Sequence, residues 1–164
     1  MSAALERMIP WSIVATVGAF LILGPLVTIA PNLWPVNLGT PQWRFGGFGF
    51  VLGATLFPTL GVALLLWAGV LKESPGMVRR TALFAGVAAG VLAVLLVIFV
   101  LDSLGMVRAS SEAAPPVFWA AMVRAALVGG LSIPVLIVLA MAGWRTAGRL
   151  PSAPVRPSEL VVGS

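Results

Sequence analysis

At 164 residues, with 60% hydrophobic and 9% charged side chains, the chain departs far from the soluble balance of about half apolar and a quarter charged, and its natural solvent is lipid. The formal charge of +5 comes from ten Lys and Arg against five acids. These fall mainly in short stretches between apolar runs, without interleaved aromatics, so they read as membrane topology and headgroup contact rather than a nucleic-acid footprint. Cysteine and histidine are absent, which excludes disulfides, thiolate catalysis, iron–sulfur clusters and histidine-ligated haem; no cofactor or metal is expected.

A helix needs about 20 largely apolar residues to cross hydrocarbon. Four stretches qualify: residues 9–30, 46–71, 81–101 and 117–143. The expected fold is an all-α, four-helix transmembrane domain over residues 1–150, followed by a disordered cytoplasmic tail, 151–164. The first stretch is preceded by Glu6 and Arg7, exceeds a signal-peptide core of about 7–15 residues and has no A-x-A site after it, so it reads as an uncleaved signal anchor. Thr40-Pro41 and Ser74-Pro75 each set a capping side chain before a proline suited to the first helical position. Pro25, Pro58 and Pro134 lie inside spans, where each removes a backbone hydrogen bond and favours a kink.

Because lipid tails are as apolar as leucine, membrane helices associate through small residues that let backbones approach. Such residues recur at four-residue spacing: Gly49 and Gly53, then Gly61, in the second span; Ala82, Gly86 and Gly90 in the third; Ala121, Ala125 and Gly129 in the fourth. Packing within the chain is the plainest reading of these stripes. A homo-oligomer or a membrane-protein partner is the other.

Orientation follows from Lys and Arg. Arg7, Lys72, Arg79, Arg80, Arg145, Arg149 and Arg156 fall on one side, and Arg44 and Arg108 on the other. Both termini and the 72–80 loop are therefore expected in the cytoplasm of a multi-pass protein of the bacterial inner membrane. Trp11, Trp67 and Trp144 fall at the expected inner ends, and Trp34, Trp43 and Trp119 at the outer ends, where indole favours the headgroup level. Sliding the chain by 76 residues superposes Trp43 on Trp119, Gly53 on Gly129 and Pro58 on Pro134, which fits two parallel helical hairpins.

The order of first span, proline-rich loop, Pro41-Gln42-Trp43-Arg44, then Phe57-Pro58-Thr59-Leu60-Gly61 through Leu65 resembles uncharacterised bacterial membrane proteins of the HpsJ type over residues 18–71. The resemblance implies a role linked to envelope or exopolysaccharide systems and supplies no catalytic residue.

Few reactive groups remain. No two carboxylates share a helical face, and Ser12, Thr16, Thr28, Thr55, Thr59 and Ser132 have no base to activate them, so these hydroxyls are expected to bond backbone or another helix. A non-catalytic accessory, assembly or scaffolding subunit of a membrane complex is the leading reading. A small oligomeric transporter of an anion or lipid is the alternative. The residue that bears on both is Arg124, inside the fourth span: it either pairs with Asp102 at the end of the third, snorkels to outer headgroups, or contacts an anion or lipid.

Overall fold

The computed structural model describes residues 10–109 and 116–150, all helices and connecting turns. The helices are α1 (Trp11–Asn32), α2 (Pro41–Gly53), α3 (Leu56–Leu71), α4 (Pro75–Ala109) and α5 (Pro116–Ala147). The expected disordered tail, 151–164, lies outside the described residues. Helices α1, α4 and α5 are each long and apolar enough to cross a membrane; α2 and α3 together make a fourth crossing if the pair, bent by 41°, is one span. Phe20, Val27, Leu83, Val87, Leu127 and Leu131 stand exposed along these helices, consistent with a multi-pass protein facing lipid.

The second span is thus not the continuous 46–71 helix expected. Its helix starts earlier, at Pro41, and breaks at Ala54 and Thr55. The break has a local cause. Pro58 has no N–H to give the carbonyl of Ala54, and the Thr55 hydroxyl competes for the carbonyl of Leu52, which it reaches at 2.8 Å. Pro134 leaves α5 unbroken. There the nearby Ser132 hydroxyl bonds the carbonyl four residues back, Val128, at 2.8 Å, a geometry the helix accommodates.

Helices begin at both Thr40-Pro41 and Ser74-Pro75. Only Ser74 caps through its side chain, its Oγ accepting the N–H of Met77 at 3.4 Å; the Thr40 hydroxyl instead donates to Asn37. The turn into α4 closes α3 with a Schellman pair: Ser74 N–H donates to Gly69 and Glu73 N–H to Val70, both at 3.0 Å. Glu73 occupies the left-handed position, φ 51°, usually held by glycine.

The core is built from small side chains. On α4 the buried face is Val78, Ala82, Ala85, Ala89, Leu92, Phe99 and Ser103; on α5 it is Ala125, Gly129, Ser132, Leu136, Ala140, Gly143 and Ala147. Gly143 is where α3, α4 and α5 meet: a Cβ there would lie 2.8 Å from that of Ala82 and 3.0 Å from Leu66 Cδ2. At Gly129 a Cβ would reach Leu52 at 2.7 Å, and at Gly49 it would reach the Phe99 ring at 2.9 Å.

Gly53, Gly86 and Gly90 differ from those two. A Cβ at Gly53 or Gly90 would meet nothing within 4 Å, and one at Gly86 would only touch Ala140 at 3.9 Å. Within this single chain they are not close-packing positions, as the four-residue stripe led one to expect. The reason is geometric. A strict four-residue step overshoots a 3.6-residue turn by about 40°, so a stripe starting on buried Ala82 rotates off the contact face at Gly86, whereas alternating steps of three and four stay on it.

Helix α1 packs almost entirely on α3. Its closest approach is backbone to backbone: a Cβ at Gly61 would lie 2.6 Å from the Gly18 carbonyl oxygen, and one at Gly18 would lie 2.9 Å from that of Gly61. Beyond this joint, the Lys72 ammonium sits 4.2 Å from the centroid of the Trp11 ring, linking the start of α1 to the end of α3.

Candidate functional site

The end of the bundle where α2 and α5 begin and α4 ends holds the one salt bridge found among the described residues. Because α2 starts at Pro41, Arg44 lies in its first turn and not in a loop, and its guanidinium faces α4. Nε and Nη2 donate to the two carboxylate oxygens of Asp102 at 2.7 and 2.8 Å, a fork-on-fork pair. Nη1 donates to the Leu38 carbonyl at 2.7 Å, so one side chain ties the α1–α2 loop, α2 and α4 together. The pair is partly shielded, with side-chain exposures of 25% for Arg44 and 14% for Asp102.

Asp102 is thereby committed to Arg44. Of the three readings of Arg124, the pair with Asp102 is not the arrangement found among the described residues. The hydropathy of the second span begins at Gly46, which leaves Arg44 outside it; the Thr40-Pro41 start signal held the information that moves Arg44 onto the helix.

Beside the ion pair, Phe45 is sandwiched between two parallel rings. It lies 5.2 Å from Phe99 of α4 and 4.6 Å from Phe118 of α5, with interplanar angles of 15° and 13°. This stack joins three helices at one level. Below it, between α2 and α5, opens a hollow of about 330 Å³ lined by Phe50, Phe99, Gly49, Gly53 and Ala125, with Arg124 on its lining. Arg124 is exposed, as are Phe50 and Ala121 beside it, so the hollow communicates with the lipid-facing side.

Deeper in the bundle, Thr55 and Ser132, both buried, are 2.9 Å apart, hydroxyl to hydroxyl. Each also lies 2.8 Å from a nearby backbone carbonyl, Leu52 and Val128 respectively. Thr59 donates to Thr55, Thr16 to Ser12 and Thr28 to Gly24. Five of the six hydroxyls, those of Thr16, Thr28, Thr55, Thr59 and Ser132, therefore bond backbone or a neighbouring helix. Among the described residues no group of three or more carboxylates could hold a metal ion.

The chain matches no family model, no curated protein and no solved structure.

Proposed function

We propose that this chain is a non-catalytic accessory, assembly or scaffolding subunit of a membrane complex, crossing the bacterial inner membrane four times with both termini in the cytoplasm. The observation that carries the reading is the pair of exposed glycines, Gly86 and Gly90, one step apart on α4 beside exposed Val87. Both point away from the chain's own tight contacts, amid exposed Leu83, Phe84, Val91 and Val94. A G-x-x-x-G step in an apolar helix is a surface on which another membrane helix can approach closely.

The discriminating variant is Gly90→Leu, because nothing among the described residues lies within 4 Å of its Cβ position. Purification of the intact chain in mild detergent, followed by mass spectrometry, should recover a stoichiometric membrane partner. Gly90→Leu should lose most of it while melting like the parent. Recovery of the same partner by both proteins removes this face from the proposal. The alternative, a small oligomeric transporter of an anion or lipid, draws on the position of Arg124 beside the hollow; it requires solute or lipid movement in liposomes that contain the purified chain alone.

The orientation has its own test, which the absence of cysteine makes clean. A single cysteine at Thr40 should react with an impermeant maleimide in spheroplasts, and one at Ser152 should react only after lysis. Labelling at Ser152 without lysis reverses the topology.

A further inference from the structure

We infer that the hollow between α2 and α5 is a docking site for one acyl chain of an anionic phospholipid, whose headgroup phosphate is held by Arg124. The inference depends on membrane embedding but not on the α4 face, so its failure leaves partner capture through Gly90 untouched.

Size comes first. About 330 Å³ sits at the lower limit of the ~300–1,000 Å³ of small-molecule sites and cannot admit a helix ~10–12 Å across. Shape follows from the sequence. Gly46, Gly49 and Gly53 succeed one another down one face of α2 over eight residues, about 10 Å of helix, with the Phe99 ring seated on Gly49 between two open positions. Across from it Ala125 is similarly small, and the rings of Phe50 and Phe99 complete an apolar channel. A Cβ at Gly46 or Gly53 would meet nothing within 4 Å, so the space there belongs to no side chain among the described residues. Such a channel suits a methylene chain far better than a hydrated ion.

Charge then selects the lipid. Arg124 follows Trp119 by five residues, about 7–8 Å along α5, a distance its long side chain can recover by snorkelling toward the indole level. Its planar fork matches two phosphate oxygens. A net-negative headgroup gains this contact without the cancelling cation of a choline lipid.

Native mass spectrometry of the full chain, titrated with dioleoyl phosphatidylglycerol or dioleoyl phosphatidylcholine, tests the assignment. The parent should favour phosphatidylglycerol about five- to tenfold, the scale of one cation acting on an anionic lipid. Arg124→Gln should bring the ratio close to one, and Arg124→Lys should keep most of it. Gly53→Leu should weaken both lipids by filling the channel, with an unchanged melting temperature. Inorganic phosphate should displace neither lipid. The inference is overturned by equal binding of the two lipids to the parent, by a preference that survives Arg124→Gln, or by Gly53→Leu binding both lipids normally. Displacement by inorganic phosphate, which would mark a soluble-anion site, or occupation of the hollow by a co-purified peptide or a second copy would overturn it as well.

Discussion

Gly61→Leu should detach α1 from the rest of the bundle. A Cβ at this position falls 2.6 Å from the Gly18 carbonyl oxygen and 2.7 Å from Ile22 Cγ1, and the first of these is backbone that cannot turn aside. Overpacking a core typically costs about 1–3 kcal/mol where side chains can shift. Here the two helices must separate, so the loss should reach or exceed the top of that range. Thermal unfolding in detergent reads it directly, and quenching of Trp11 fluorescence reports whether α1 still lies against Lys72. Gly24→Leu, on α1 itself but with nothing among the described residues within 4 Å of its Cβ, is the control and should stay within about 0.5 kcal/mol of the parent. Equal melting of the two variants would sink the account of the α1–α3 joint.

The second large effect concerns the Arg44–Asp102 pair. Arg44→Asp sets two carboxylates opposite each other in a partly shielded position and also frees the Leu38 carbonyl of its donor, so folded protein should fall sharply. Adding Asp102→Arg restores opposite charges and should recover most of the loss, though not the part due to Leu38. Arg124→Asp leaves this pair intact and should be much milder. In-gel fluorescence of a tagged chain, with melting in detergent, gives the ranking. If Asp102→Arg rescues Arg124→Asp better than it rescues Arg44→Asp, the partner of Asp102 is misassigned.

Much of the helical layout can be read from the chain because it rests on local chemistry. Proline at a first helical position marks the starts of α2 and α4, and runs of apolar residues mark the stretches able to cross lipid. What the chain does not reveal locally is rotation. Hydropathy counts residues along a helix but says little about which side meets a neighbour when nearly every side chain is apolar. That is why Gly86 and Gly90 look like core positions until Ala85 and Ala89 are seen to take their place. It is also why Gly18, flanked by Val17 and Ala19, carries no visible sign of its contact with Gly61.

The polar pairs were hidden for a related reason. Thr55 and Ser132 are separated by 77 residues, and Arg44 and Asp102 by 58, so neither pairing has a local signature. For Arg124 the apolar run of α5 shows a cation out of place, but the hollow beside it exists only once α2 and α5 are set side by side.

The break between α2 and α3 shares its protons with α5. The Thr55 and Ser132 hydroxyls own two protons between them, yet three acceptor contacts of 2.8–2.9 Å compete for those protons. One contact is always without its proton, and rotation of the two O–H bonds passes that vacancy from one carbonyl to the other. The joint at residues 54–55, between a half-span held by the aromatic stack and a half-span that carries α1, therefore holds α5 through either of two hydroxyl arrangements.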